Sequence, residues 1–405
     1  MGSIGPHTLI KGPTLVSLVE DIRSAVIQDT SPAQSPESHH HLLTVIEKLR
    51  LAAETPAETA RRLMYQPPQN AAIRTLIDLG VFELLVENGI DGFGPGLSAS
   101  EISVRANAER GLIVRLMRVA TSLGLCDSDC HSTEPEAYRA NSKTEILTKP
   151  LGRDGLPCLY DMTMPTLSVL PSYFVQHSYT MPTNYGASPM RWATGQSQFE
   201  WLAKRPAQQA RFNGLMHSRR EGQARWFDVY PVESLLRSFK AASSAGKEVD
   251  EDGNVFMVDI GGNEGHDLLW FRERYPGFKQ RLILQDLPAV VAGKDVQLEG
   301  TGIEVMGYNF FEEQPILRNT IPAMGPDSRI LIVDFVLPDT DTPLFQASLD
   351  IQMMCLGSGV ERSKREWRKL LGKVGLEIRK VWSASPAQES VIEVARIRDV
   401  NGNGA

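Results

Sequence analysis

Residues 255–286 restrict this chain more than any other stretch. Val255-Phe-Met-Val-Asp-Ile260 is a short apolar run, the pattern of a strand buried on both faces. It breaks at Gly261-Gly262-Asn263-Glu264-Gly265, after which His266 to Arg274 is helical in character, and Arg281-Leu-Ile-Leu-Gln-Asp286 is a second strand. Strand, glycine turn, helix and strand make a βαβ unit, whose parallel strands need helices packed on both faces of the sheet. Ile303–Met306, Arg329–Asp334, Leu376–Trp382 and Ser390–Ile397 continue the strand series, and a helix over Glu366–Val374 ends at Gly375. The last two strands fit an antiparallel edge. The expected class is α/β, with a Rossmann-like domain over residues 246–398.

The N-terminal half has a different texture. Leu15 to Ile27 is amphipathic, a Ser/Pro-rich linker spans Asp29 to His41, and a helix follows over Leu42–Ala53. Three helices come next: Gln69–Leu79, closed by Gly80; Ser98–Val104, opened by the capping box Ser98-Ala-Ser-Glu101; and Glu109–Leu123. With the strand-like Tyr138–Asn141 they form a winged-helix pattern. Such a pattern serves DNA binding or dimerisation. The chain carries 42 basic against 49 acidic side chains, a net charge of −7, and its third helix offers only Arg110, Arg115 and Arg118. Nucleic-acid binding leans on a Lys/Arg excess, so residues 1–150 read as a mainly helical dimerisation domain and no nucleic-acid partner is expected. Residues 151–245 are dense in aromatics (Tyr173, Tyr179, Tyr185, Trp192, Phe199, Trp201, Phe212, Trp226, Phe227 and Tyr230) and suit a helical cap lining an apolar small-molecule pocket. Four scattered cysteines exclude a disulfide scaffold, and Cys126-x3-Cys130-His131 has no second cluster at zinc spacing, so no metal is expected. Without a basic-then-apolar leader or a run long enough to span a bilayer, the expectation is a cytoplasmic protein with no membrane partner.

Asp259-x-Gly261-Gly262-x-x-Gly265 lies where a strand meets a helix, and its glycines let backbone approach a ligand closely. The spacing is G-G-x-x-G rather than the G-x-G-x-x-G of dinucleotide enzymes. Asp286, at the end of the second strand and 21 residues beyond Gly265, is placed to accept hydrogen bonds from ribose hydroxyls. An acid at the end of the first strand suits a zwitterionic cofactor bearing an ammonium group. The combination resembles S-adenosylmethionine (SAM) sites.

Further blocks run in order along nearly the whole chain: Tyr65-Gln66-Pro67-Pro68-Gln69-Asn70, Leu170-Pro171, Phe199-Glu200-Trp201-Leu202, Trp226-Phe227-Asp228-Val229-Tyr230-Pro231, Leu284-Gln285-Asp286-Leu287-Pro288, and Val336-Leu337-Pro338 through Glu361-Arg362 to Trp367. With these the chain resembles the fungal branch of the SAM-dependent small-molecule O-methyltransferases, the caffeate-type class, which has a pericyclase offshoot. The resemblance implies an N-terminal dimerisation domain, a homodimer whose partner helps close the pocket, and a C-terminal SAM domain. It implies a secondary-metabolism enzyme acting on a polyketide, phenolic or related small molecule. It assigns cofactor contacts to Asp259, Gly261, Gly262, Gly265, His266 and Asp286. Asn309-Phe310 matches a family Asp-Phe pair near the adenine, the change to Asn losing a charge but keeping a hydrogen-bonding carbonyl.

One departure is large. Phenol methylation needs a base in reach of the hydroxyl, and in this family a His in a His-Asp-Trp motif supplies it, oriented by two acids. Asp334 and Glu361 match the acids. The His is missing: no histidine follows His266, and the 17 residues between Phe311 and Arg329 carry Pro315, Pro322 and Pro326, too few to hold another parallel strand with its crossover. Three readings stand at this point. The segment is absent only from this version of the chain; or the protein is a SAM-dependent pericyclase that uses bound SAM as a positive charge without methyl transfer; or it is an inactive relative. Among the remaining histidines, His177 is the best candidate base, with His217 and His266 reading as structural or cofactor-side.

Overall fold

The computed structural model describes residues 14–31, 35–90, 96–129, 136–218, 224–237, 255–309, 316–325, 328–384 and 388–397. They divide into two compact units: Met1–Glu221 together with Pro343–Glu361, and Gly222–Thr342 together with Arg362–Ala405.

The first unit opens with a helical hairpin, α1 (Leu15–Asp29) against α2 (Pro36–Ala53), whose seam buries Leu18, Ala25 and Val45. The expected linker is shorter than read, because α2 begins at Pro36 and not at Leu42. The Ser35 hydroxyl accepts from the Ser38 amide at 3.2 Å, and the Ser38 hydroxyl accepts from the Ser35 amide at 3.0 Å. Pro36 follows at the first helical position, where a missing N–H costs nothing. His39, His40 and His41 are therefore on a helix, and His39 Nδ1 reaches the buried Asp29 carboxylate at 2.9 Å across the hairpin.

After α3 (Pro56–Met64) come α4 (Gln66–Asp78), α5 (Val81–Glu87), β1 (Leu97–Ser98), α6 (Ala99–Arg105), α7 (Arg110–Ser122), β2 (Asp127–Ser128) and β3 (Ala137–Arg139). The three strands form a small antiparallel sheet in the order β1-β3-β2, the expected wing. Between α4 and α5 the chain reverses at Gly80, whose φ of +66° suits a residue without a side chain. Leu76, Phe82, Leu85, Ile102, Ile113 and Met117 fill the core. The capping box at α6 forms as read: the Ser98 hydroxyl accepts from the Glu101 amide at 3.2 Å, and the Glu101 carboxylate accepts from the Ser98 amide at 2.8 Å. Ser98→Ala is expected to cost about 1 kcal/mol in chemical denaturation, the usual loss of an N-cap hydroxyl; a change below a few tenths would show that tertiary packing alone holds α6.

The remainder of the unit is a set of short helices over residues 142–218. One is a π-helical turn, Leu159–Thr163, carrying Asp161. Arg74 on α4 makes two 3.0 Å bonds to this carboxylate, Gln208 adds one at 2.9 Å, and Arg211 stands 3.5 Å away. Burial pushes the Asp161 carboxyl up, and the Arg74 and Gln208 hydrogen bonds more than offset it, leaving it below the usual carboxylate range. A distant segment joins this unit: helix Leu344–Gly357 packs on helix Pro189–Thr194, and the Ser358 hydroxyl donates to the Asn184 carbonyl at 2.9 Å. Cys126, Cys158 and Cys355 are free and buried, and desolvation pushes their thiols up to about 12, 11 and 12. Cys130 and His131 lie outside the described residues.

The second unit contains β4 (Val255–Ile260), β5 (Arg281–Asp286), β6 (Ile303–Gly307), β7 (Ile330–Asp334), β8 (Val336–Leu337), β9 (Arg362–Ser363), β10 (Leu376–Ser383) and β11 (Ser390–Arg396). β4, β5 and β6 are parallel neighbours in that order. β10, β11 and β7 form an antiparallel sheet, and β8 pairs with β9. The six strands the sequence predicts all form, joined by the short unpredicted pair β8 and β9, but among the described residues they make two three-stranded sheets and this two-stranded one rather than one continuous sheet. Both share one core of Phe227, Tyr230, Leu268, Phe271, Leu282, Leu284 and Val391. Trp226 stacks on Phe271 at 5.7 Å, so the Trp226–Tyr230 block packs in this core. Among the described residues no helix is long and apolar enough to cross a membrane, and no cluster of metal-ligating side chains occurs.

Candidate functional site

The site grows out of the end of β4. The parallel register sets Asp259 beside Leu284 and Ile260 beside Gln285, and the Gly261 amide extends the ladder by donating to the Gln285 carbonyl at 2.7 Å. The chain then turns sharply, with φ of +78° at Gly261, +52° at Asn263 and +78° at Gly265. The Gly265 amide closes the turn on the Gly262 carbonyl at 2.8 Å, and helix His266–Arg274 starts there. Gly262 has φ in the ordinary range, and its constraint is space. A Cβ built on it strikes the Asp259 carboxylate and lies 2.6 Å from the Leu284 Cδ1. The backbone at Gly262 is thus laid directly over an acid and a core leucine.

Asp286 caps β5. It is 7% exposed, and its two oxygens accept from the Asn263 amide at 2.9 Å and the Leu287 amide at 2.7 Å. This carboxylate ties the glycine turn to the next strand end. Asp259, Gly261, Gly262, Gly265 and Asp286 are therefore brought together. His266 opens the helix, its ring 5.8 Å from Trp270 and its Nε2 3.9 Å from Glu264. Glu264 also takes an ion pair from Lys294 at 3.1 Å, and Lys294 in turn donates to Gln297 at 2.9 Å. The sequence offered no signal for Lys294, which comes from a short helix 30 residues away without a recognisable motif. Asn309 follows β6, two residues past Gly307, and Phe310 lies outside the described residues.

The candidate catalytic residues divide between the units. Asp334 ends β7 in the second unit, where its carboxylate accepts from the Phe335 amide at 2.8 Å, repeating the device at Asp286. Glu361 belongs to the first unit, its amide donating to Asp350 at 2.8 Å. His177, also in the first unit, caps helix Leu170–Gln176 and stacks on Tyr173 with ring centroids 4.0 Å apart. Its Nδ1 lies 2.8 Å from the Tyr173 carbonyl. A carbonyl only accepts, so Nδ1 carries the proton and the neutral ring keeps its lone pair on Nε2. The next two residues, Ser178 and Tyr179, both hold positive φ, 52° and 55°, a strained turn for side-chain-bearing residues.

A glycine turn that admits no side chain at Gly262, laid over the Asp259 carboxylate and braced by Asp286, which two backbone amides hold, fits a ligand with a ribose and an ammonium group. SAM has both. Comparison with known proteins agrees. Residues 68–150 match the O-methyltransferase dimerisation domain. Demethylsterigmatocystin 6-O-methyltransferase of Aspergillus parasiticus is 30% identical, over 82% of this chain and 86% of its own length. Methyltransferase cfoC of Aspergillus candidus is 29% identical over 95% and 97%. The solved complex of LepI with SAM superposes with a TM-score of 0.77 at 26% identity, covering 95% of this chain and all of the other. The alignments also leave some positions of the relatives, in total, without a counterpart here. With the first enzyme, 358 aligned positions use 82% of 405 residues, about 332, so about 26 positions have no residue here. With the second, 410 positions use 95%, about 385 residues, leaving about 25. From its dimerisation domain to its cofactor turn, the chain belongs to the SAM-dependent O-methyltransferase family of these fungal enzymes.

Proposed function

We propose that this SAM-dependent enzyme of fungal secondary metabolism methylates a hydroxyl on a polyketide, phenolic or related small molecule, working as a homodimer in the cytoplasm. The observation that carries the reading is the Gly261–Gly265 turn laid over Asp259 and braced by Asp286. In this reading Asp286 holds the ribose hydroxyls, Asp259 faces the ammonium group, and the amides around Gly261 to Gly265 line the cofactor. His266, Asn309 and Phe310 complete its surroundings. When bound, SAM supplies an electrophilic methyl group on a cationic sulfur. The chain's own task is to orient the acceptor hydroxyl and remove its proton. His177 Nε2 is the proposed acceptor, because the Tyr173 carbonyl holds the ring in the tautomer that leaves this nitrogen basic. Asp334 and Glu361 are proposed as orienting acids. The dimerisation domain supports the homodimer, and the names of the fungal relatives support the substrate class.

A second reading, pericyclic ring closure around bound SAM, is favoured by one feature: no histidine follows His266, so the cofactor half of the chain has no obvious base beyond it. Such chemistry needs shape and charge but no proton acceptor.

Titration calorimetry with SAM tests the shared core of both, and absence of binding sinks both. Product mass separates them, since only methyl transfer adds a methyl group. If His177 is the base, His177→Ala lowers kcat by about 10²–10⁴-fold with little change in SAM affinity. An unchanged rate assigns the proton to another group.

A further inference from the structure

In the second unit, helix Lys364–Gly372 and the strand after it concentrate positive charge on an acidic chain. Residues 362–380 hold eight basic and two acidic side chains, a net +6, whereas the other 386 residues hold 34 and 47, a net −13. Both acids of the segment are engaged. The Glu366 carboxylate accepts from the Ser363 amide at 2.9 Å and closes the helix cap, and Glu377 pairs with Arg379 at 2.9 Å. Arg365 has one acid at a distance, Asp339 at 3.9 Å, and Lys380 lies over the Trp382 ring at 3.6 Å. Lys364, Arg368, Lys369 and Lys373 are exposed and, among the described residues, make no ion pair.

The fold does not call for these charges. The inner face of the helix is apolar: Trp367 and Leu371, four residues apart, pack with Leu376, Ile392 and Val394. The outer face sets like charges at the same four-residue spacing, Lys364 with Arg368, Arg365 with Lys369, and Lys369 with Lys373. Each such pair destabilises the helix that carries it. Lys364 and Arg365 also stand in the first turn, at the end of the helix dipole that favours acids. Cations set against their own helix, and left without partners in their own chain, mark a surface that serves something outside it.

We propose that the outer face of helix Lys364–Gly372 docks an acidic helix of a partner protein, held by Lys364, Arg368, Lys369 and Lys373. The geometry selects this class of partner. From Lys364 to Lys373 the row runs about 14 Å, or about two and a half helical turns. A second helix with carboxylates at three- and four-residue spacing matches such a row side by side. A bilayer fits less well: Trp367 and Leu371 are buried in the core, so the helix has no apolar face to lay into a membrane. A long polyanion such as DNA also fits less well, since the net −13 of the remaining chain repels it beyond the patch. The contact is steered by charge and weakens with salt. It does not rest on the methyltransferase reading, because none of its residues belongs to the glycine turn or to the acids around it.

Fluorescence anisotropy on the full chain tests it, with a labelled helical peptide of Glu-Ala-Ala-Glu-Ala repeats about 20 residues long as the probe. Binding at low salt is expected, and the triple variant Lys364→Glu, Arg368→Glu, Lys369→Glu should weaken it by about tenfold or more. The control is Lys48→Glu, Arg105→Glu, Lys204→Glu, three exposed cations of the first unit whose reversal changes the net charge equally. It should weaken binding by less than about threefold. No binding by the parent protein, or equal loss in the two variants, overturns the proposal. Vesicles of phosphatidylcholine with phosphatidylserine and a short DNA duplex are run beside the peptide. Tighter binding of either one, lost in the first variant, overturns the choice of a protein partner. Replacing the same three cations by Gln keeps the test open should the Glu variant fail to fold. That variant should also lose the peptide, with a melting temperature equal to or above the parent's because the like charges are gone. A clear fall in melting temperature shows that the cations hold the fold, and the proposal fails.

Discussion

Phe271→Ala is expected to destabilise the second unit by about 3–5 kcal/mol, the usual cost of emptying an aromatic site in a close-packed core. Phe271 is completely buried, and its ring meets five others: Trp226 at 5.7 Å, Phe227 and Phe256 at 6.0 Å, Tyr275 at 4.9 Å and Phe278 at 6.0 Å. These neighbours come from three separate segments, so no single one can collapse into the space without dragging its element along. The loss approaches the whole stability of an ordinary domain. A fall of about 10 °C in the melting temperature should accompany it. SAM affinity falls as well, because helix His266–Arg274 carries Phe271 on its inner face and roots the glycine turn at its start. Phe271→Leu, which keeps most of the volume, should lose less than half as much. A melting temperature within two or three degrees of the parent protein for the alanine variant would show that this core is looser than its ring contacts imply.

Gly262→Ala is expected to abolish cofactor binding at working concentrations, with a loss of about 100-fold or more in SAM affinity, equivalent to about 2.8 kcal/mol. The added methyl group meets the Asp259 carboxylate on one side and Leu284 on the other. Leu284 is completely buried in β5 and has nowhere to go, so the strain falls on Asp259 and on the turn itself. Overpacking of this kind also costs about 1–3 kcal/mol of stability. Gly277→Ala is the control, because a Cβ there meets nothing within 4 Å. Calorimetry of the two variants side by side separates a specific effect from a general cost of replacing glycine. Equal SAM affinity in both would remove the glycine turn from the cofactor site.

Much of this was legible from the chain alone where local chemistry decides the outcome. The capping box at Ser98–Glu101, the αL residue at Gly80 and the strand–turn–helix at 255–274 formed where their residue types place them, because each is set by neighbours within a few positions. The start of α2 was misplaced for a local reason that was overlooked: Ser35-Pro36 is a strong helix opening and outweighs the polarity of the three histidines after it. Long-range partners were out of reach. Arg74 meeting Asp161, and Lys294 meeting Glu264, join residues 87 and 30 positions apart through no repeating pattern. Helix Leu344–Gly357 was not anticipated, because its run of Leu, Phe, Ile and Met has no polar stripe to mark a periodicity. Asp286 ends its strand where the sequence pattern puts it. Its use by the Asn263 and Leu287 amides follows only from the three-dimensional turn.

The return of Pro343–Glu361 to the first unit bears on how the protein is made. A ribosome releases Glu221 about 140 residues before Glu361, an interval of about 7–28 s at ordinary elongation rates. For that time the surface that helix Leu344–Gly357 will cover, including Tyr185 and helix Pro189–Thr194, is synthesised but uncovered. The second unit cannot close early either, since Arg362–Ala405 contributes β10 and β11. Neither half can be cut away as a continuous piece; the first is complete only when Glu361 has emerged, and the second only with the last strands. Nascent chains halted before residue 343 should therefore depend on chaperones more heavily than two independent domains of this size.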